Sequence, residues 1–456
     1  MAHSIEELID HYLVVCICLA LFILTWIDVG NIPITAMLGL ILCGAGMVQR
    51  GALVDLGILI PLIIYNLAGM ASSYAVYGNI AEGYGVMQSL FPILYLLMAC
   101  LKSKEIHWLR QFSVLWAGIV AAAGMGRFVW RAVVLESARR LDGWLGNANA
   151  MGIFLVTGWF VLMHCVSEEE GEENYIEDFL IYIEPVLLTA LAMTLSLGSF
   201  AAMAAGILIL IIEKKRRCSY KDTWQYGCQI LAKASLGVGT GVLIYLGGVR
   251  TAVPWICLPL VLYSLVMIRS WKKFGIFLSA YPLTAAVISA FGLAVASGII
   301  LIRQSSAATF TERLEMMGNG LKYLTRNPLL GVGPYQWRLL NLSDGDKYFN
   351  TWHIHNVLIH AGVEFGWIAM AMLILIVIRF YRKKAEPWTK AGFTAFFFHN
   401  MIDTSFFYLG ITALNLIAAG NPHKGGKRAD GFVLKLVFAV FALMYIFALY
   451  EYIWMS

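Results

Sequence analysis

Nine arginines (Arg127, Arg131, Arg139, Arg140, Arg250, Arg303, Arg313, Arg326 and Arg338) fall in segments that alternation of the apolar runs places on the outer side of a membrane, with only Lys322 and Lys347 beside them. The other side holds the remaining eight arginines and fourteen lysines. Cytoplasmic loops ordinarily carry the excess of cations, so an outer set this rich in arginine needs a partner that favours keeping it there. Arginine in place of lysine points to planar, two-pronged recognition of phosphate or carboxylate. For any single one, snorkelling to lipid headgroups, or pairing with Glu136, Asp142, Glu312, Glu315 or Asp344, is the structural alternative. His399, Asn400 and Asp403 stand in a late apolar segment, where polar groups are costly and often functional. Hydrogen bonding between helices accounts for them equally well.

The elements that must position these groups follow from composition. The chain has 456 residues, 60% hydrophobic and 13% charged, with mean hydropathy +0.74. A soluble domain carries about 25% charged residues, so the soluble, fibrous and disordered classes are excluded and an integral membrane protein remains. The net charge of +5 is modest, and nucleic acid is not an expected partner. Apolar runs at 12–29, 32–49, 52–73, 83–101, 108–126, 149–166, 178–197, 199–212, 225–247, 252–268, 274–302 and 355–378 are continuous, where a barrel strand would alternate, so helices are expected. With weaker runs at 389–403, 405–420 and 431–450, this predicts an all-α polytopic membrane protein of roughly 12–15 transmembrane helices.

An inside N-terminus puts Lys102 to Arg110, Glu213 to Lys221, Arg269 to Lys273, Arg379 to Lys390 and His423 to Arg428 on the cytoplasmic side. The acidic stretch Glu168 to Asp178 lands there too, as a solvated loop. Two outer loops remain, Arg127 to Ala148 and Arg303 to Ile354, and only the second is long enough for a small subdomain. The expected organisation is one membrane domain: helices over 1–302, an extracytoplasmic loop over 303–354, and helices over 355–456. Glu6, Glu7 and Asp10, with no lysine or arginine before Tyr12, have the wrong sign for a cleaved leader, so the first helix is expected to stay. The eight cysteines lack metal-site spacing with histidines and read as buried thiols.

Within the long loop, Leu314, Met317, Leu321 and Leu324 predict a helix over 311–325, which Thr309, Thr311 or Asn327 could cap or stop. Asn327, Pro328, Gly331, Gly333 and Pro334 then break regular structure. No strand precedes Gly331-Val332-Gly333-Pro334, so it reads as a turn that brings backbone to the membrane surface and not as a dinucleotide loop. His355-Asn356 reads as a cap of the helix that follows.

Glu312-Arg313-Leu314-Glu315, then Asn327-Pro328-Leu329-Leu330-Gly331-Val332-Gly333-Pro334, then His353-Ile354-His355-Asn356 running into Glu364-Phe365-Gly366, together resemble the O-antigen ligase and polysaccharide polymerase superfamily. Its members share an arginine-bearing helix, an "HPLLGVGPG"-like turn and an "HSHNxxL…ELG"-like start of a membrane helix. Arg139-Arg140-Leu141-Asp142-Gly143 through Asn147-Ala148-Asn149 is similar to the family's "R-x-x-G…NPN" stretch.

The resemblance implies a metal-independent, inverting glycosyltransferase of the C-type membrane fold, with no cofactor. Such enzymes move a glycan from an undecaprenyl diphosphate carrier to a glycan or lipid-linked acceptor at the outer face of the bacterial inner membrane. The donor has a good leaving group, so catalysis needs cations for the departing diphosphate and a base for the acceptor hydroxyl. By this resemblance Arg313 is the first candidate for diphosphate contact, with Arg139, Arg140 and Arg250 behind it. His355, aided by His353, is the candidate base, and Asn356, Glu364, Gly331 and Gly333 support the site. Two departures stand out. The family's "SRG" arginine is Leu197 in Ser196-Leu197-Gly198-Ser199, so that contact must come from elsewhere, and the last glycine of the turn is Tyr335. The alternative is a transporter or flippase of lipid-linked glycans. Few charges at mid-depth over 12–302 and no internal repeat disfavour it.

Overall fold

Backbone in hydrocarbon has to satisfy its own hydrogen bonds, and the apolar runs accordingly fold as helices. The computed structural model describes residues 11–26, 31–137, 139–167, 175–249, 253–302, 306–344, 349, 351–420 and 426–455. Among them, seven helices are long and apolar enough to cross a membrane: Leu56–Tyr77, Ser103–Val133, Ala148–Ser167, Leu197–Lys215, Tyr220–Val249, Pro254–Ala280 and Gly431–Trp454. Six shorter apolar helices accompany them, including Tyr12–Trp26, Ile32–Met47 and Leu409–Ala419. The protein is an all-α polytopic membrane protein. Arg250, Arg303 and Lys347 lie outside the described residues, as does most of the acidic stretch from Glu168.

Helix ends follow local chemistry. Asp55 caps Leu56–Tyr77 by accepting the Gly57 amide at 2.9 Å, and Gly78 ends that helix with a left-handed φ of 72°. Three predicted boundaries differ. The helix Cys257–Ala280 runs straight through the Arg269 to Lys273 cluster and stops at Tyr281, ahead of Pro282. Charge does not break a helix, whereas proline removes a donor and clashes with the preceding turn. The run at 355–378 breaks at Gly366 (φ 89°) into Val357–Phe365 and Trp367–Arg382, because the Leu329 carbonyl occupies the place a Cβ would need. The run at 83–101 opens with a separate turn, Gly85–Gln88, before Leu90–Cys100.

The chain forms two compact units, each built from separated stretches. The first comprises Met1–Leu109, Ala308–Ala385 and Asn400–Ser456. In it, Ile32–Met47 packs on Gly431–Met455 where Gly39 and Gly46 admit the rings of Tyr445 and Phe438, the close approach that small residues give membrane helices. A two-stranded antiparallel ribbon pairs Gly51–Val54 with Lys427–Asp430. Beside it the buried Asp55 carboxylate binds Arg379 at 3.1 Å and Lys383 at 2.5 Å.

The second unit comprises Arg110–Ala307 and Glu386–His399. Gly237 and Gly241 of Tyr220–Val249 meet Leu188 and Thr189 of Glu184–Thr194, and buried Arg110 bonds His164 at 2.7 Å. All eight cysteines are free thiols, but only Cys43, Cys165 and Cys257 are fully buried as expected, and the other five are partly exposed.

Candidate active site

The Ser306–Arg326 helix buries Met316, Tyr323 and Leu324, with Gly320 against Ile354 and Ile359. Positions 316, 320, 323 and 324 form one helical face. The predicted stripe was different: Leu314 and Leu321 are exposed. Arg313 lies three residues before Met316, on the buried side, and its side chain is 17% exposed. Trp337 of the short helix Gln336–Asp344, Phe349 and Ile354 complete this core against Val363 of the helix Val357–Phe365, called here the junction helix.

The turn after Arg326 is shaped by that helix. A helix C-terminus leaves carbonyls without intrahelical partners, and here the Val332 amide donates to Val363 O at 2.7 Å and the Gly333 amide to Glu364 O at 3.1 Å. Ser72 Oγ also donates to Glu364 O at 2.6 Å, and the Trp367 amide to Pro328 O at 2.8 Å. Gly331 (φ 71°) has no room for a Cβ against the Glu364 backbone, and one on Gly333 (φ 103°) would meet Val76 at 2.5 Å. The glycines thus bring the turn onto a helix end. Tyr335 keeps a left-handed φ of 63°. The backbone there retains the conformation that favours glycine, and tyrosine bears the strain while its ring meets Tyr84 at 4.6 Å and Trp352 at 6.0 Å.

His355 and Asn356 divide their labours. Asn356 is the cap: its Oδ1 accepts the Ile359 amide at 3.0 Å and its Nδ2 donates to Met401 O at 3.2 Å. His355 is left for other work. Among the described residues its Nδ1 is buried without a hydrogen-bond partner, and it faces Asp403 Oδ1 at 3.8 Å, while the side chain stays 22% exposed. Asp403 is 5% exposed. Its Oδ1 accepts the Thr404 amide at 2.8 Å, and its Oδ2 accepts from Arg313 Nη2 at 3.2 Å. Arg313 Nη1 also donates to Ile402 O at 2.5 Å, and its Nε is buried without a partner among the described residues. Arginine, carboxylate and imidazole therefore form one chain, anchored on the break between helices at 401–408.

His353 is placed differently. The Ile354 amide donates to His360 Nδ1 at 3.4 Å, so His360 carries its proton on Nε2 and donates it to His353 Nδ1 at 3.1 Å. His353 Nδ1 also lies 3.2 Å from the Tyr84 hydroxyl, and its ring stacks on Phe407 at 4.5 Å. His360 Nε2 lies 3.4 Å from Glu364, which is fully buried. Burial, assisted by nearby His355, pushes His353 down to about 3, against an opposing pull from Asp403. Its ring therefore stays neutral above that value.

A stability effect follows. Unfolded His353 takes a proton below its ordinary value of 6.5, whereas folded His353 stays neutral to about 3. The unfolded state then binds more protons in that interval, so stability falls as pH is lowered through it. The thermal midpoint should be lower at about pH 5 than at about pH 7.5, with a smaller difference in His353→Phe. An equal pH dependence in both proteins would contradict this assignment.

Arg139 and Arg140 belong to the second unit. Arg139 is exposed. Arg140 Nε donates to Thr194 O at 2.7 Å and Nη2 to Asn149 Oδ1 at 2.8 Å. Thr194 precedes the turn that opens Leu197–Lys215, where Ser196 caps by accepting the Ser199 amide at 3.3 Å. Arg140 thus reaches the turn that precedes Leu197. His399 bonds Ser199 Oγ at 3.2 Å in this unit, so of the late polar group only Asp403 joins His355. The sequence reading flagged Asp403 as costly without giving it a partner, and it missed Tyr84 and His360. Spacing of His360 and Glu364 four residues apart was the one available signal for the latter. Among the described residues no three His, Cys, Asp or Glu side chains cluster as a metal would require.

No curated protein and no solved structure matches the chain. Residues 234–374 match the model of the O-antigen ligase family, Wzy_C, a stretch that includes Arg313, the glycine turn, both loop histidines and Glu364. Over that stretch, somewhat under a third of its length, the chain is similar to the O-antigen ligase family.

Proposed function

We propose that this protein moves a glycan from an undecaprenyl diphosphate carrier to an acceptor sugar at the outer face of the bacterial inner membrane, as a ligase or polymerase. The likeness of residues 234–374 to the O-antigen ligase family supports glycan transfer of that general type. The observation that carries the finer reading is the chain Arg313–Asp403–His355. Asp403 orients the imidazole with its Nδ1 proton inward, which leaves Nε2 to take a proton from the acceptor hydroxyl. The acceptor oxygen then bonds the anomeric carbon, and the diphosphate leaves with the electron pair of the broken bond. Arginine donors stabilise that developing charge. Arg313 has donors to spare, since among the described residues two of its N–H groups are engaged, and Arg140 is a candidate of lower rank for the diphosphate charge. Arg139 and Arg250 are assigned the same task at lower rank.

The test uses purified protein, a synthetic undecaprenyl diphosphate oligosaccharide and a panel of acceptors, read by mass spectrometry. Elongated acceptor and free undecaprenyl diphosphate are expected in equal amounts, and activity should persist in excess chelator because arginine carries the diphosphate charge. Loss in EDTA with rescue by magnesium or manganese would replace this mechanism with a metal-dependent one. For sidedness, cysteine labelling should find Ser343→Cys from outside and Ser219→Cys from the cytoplasm. Labelling of both from one side would overturn the outer-face assignment.

A further inference from the structure

In the first unit the end of the helix Trp367–Arg382 lies beside the start of Leu56–Tyr77, and the two line a groove of about 420 Å³. The transfer chemistry does not use it. Leu375, Ile378, Arg379 and Arg382 recur at intervals of three and four, so they share one face of their helix, and Leu56, Ile60 and Pro61 supply the facing wall. The wall is open, with Leu56, Ile60, Leu375 and Ile378 between 41% and 48% exposed. Guanidinium groups stand at the helix end, and aliphatic side chains follow one to two turns inward. The groove thus has the polarity of an amphiphile along its length.

Gly57 lets an arginine lie across the helix start, since a Cβ there would meet Arg379 Nε at 2.8 Å. Arg379 and Lys383 both bind the buried Asp55 carboxylate, so one negative charge answers two positive ones. Arg382 is exposed, and among the described residues no ion pair or hydrogen bond engages it. Three cations against one carboxylate leave this end of the groove positive. The cation pattern separately assigns the Arg379 to Lys390 and His423 to Arg428 clusters to the cytoplasmic side. The ribbon of Gly51–Val54 with Lys427–Asp430, next to Asp55, brings both clusters to one end of this unit.

We propose that this groove seats an anionic phospholipid of the cytoplasmic leaflet, with its headgroup phosphate held by Arg382 and Arg379 and one acyl chain laid along Ile60, Leu375 and Ile378. Guanidinium groups bind phosphate through parallel, charge-assisted hydrogen bonds, and cations beside a membrane helix favour anionic lipid. A free phosphate would satisfy the arginines and leave the exposed aliphatic wall uncovered. Arg379 stays intact in the test, because its loss would weaken the pairing of buried Asp55.

Three variants separate the groove from its surroundings. Arg382→Gln removes the charge at its mouth, Ile60→Trp fills it from the facing wall, and Lys384→Gln removes an exposed cation two residues away that does not line it. The full chain in detergent is titrated with phosphatidylglycerol and with phosphatidylcholine of the same acyl chains and examined by native mass spectrometry. Preferential retention of phosphatidylglycerol is expected, weakened about tenfold in Arg382→Gln by loss of charge-assisted bonds, weakened also in Ile60→Trp, and kept in Lys384→Gln. Equal retention of the two lipids overturns the proposal, as does a preference that survives Arg382→Gln or Ile60→Trp. A preference that Lys384→Gln weakens as much as Arg382→Gln would show diffuse attraction to the basic helix end, and it overturns the proposal too.

Discussion

Substituting His355 by alanine should reduce turnover by about 10²- to 10⁴-fold, the usual contribution of general-base assistance, with nearly normal donor binding and nearly normal stability. The stability clause comes from the structure. Had His355 been the helix cap, its loss would cost about 1 kcal/mol of folding energy. Asn356 caps instead, so that penalty is expected in Asn356→Ala and not in His355→Ala. Thermal stability and single-turnover rate measured on both variants separate the two roles. His353→Ala should slow turnover less, because that ring is buried behind the site. Normal turnover per folded molecule in His355→Ala would remove the histidine from the chemistry.

Arg313→Lys should lose most activity, at least about tenfold, while the protein accumulates normally. The guanidinium reaches Ile402 O and Asp403 at once. A lysine keeps the charge and loses the planar fork that makes both bonds and still faces a diphosphate. Asp403→Asn should mimic much of this loss, since it releases both the arginine and the imidazole. Residues acting as one unit are strongly non-additive, so the double variant should be little worse than the poorer single one. Full activity in Arg313→Lys would return that residue to a purely structural role, and additive losses would show that Arg313 and Asp403 act apart.

The spans were legible because hydrocarbon demands continuous apolar helix, a one-dimensional property of the sequence. Local breaks were less so. Pro282, and not the Arg269 to Lys273 charges, ends a helix, and Gly366 interrupts a run whose apolarity continues on both sides. The loop helix carries apolar residues on more than one face, so hydrophobicity found Leu324 but did not choose Met316 and Tyr323 over Leu314 and Leu321. Arg313 and His355 were readable from short motifs. Asp403 was not, because its connection to them depends on a helix break at 401–408 that brings distant chain together, and a lone carboxylate in an apolar run reads equally as a helix–helix bond. The Tyr84 hydroxyl approaches His353 across 269 residues of chain, which no spacing rule detects.

A base at His355 implies a single displacement, with the acceptor oxygen entering opposite the departing diphosphate. The most direct measurement is the anomeric configuration of the newly formed linkage, read by nuclear magnetic resonance on product made from a donor of defined configuration. Inversion relative to the undecaprenyl diphosphate linkage is the predicted result. Retention would mean two displacements through a covalent glycosyl intermediate, and it would contradict the assignment of His355 as the base.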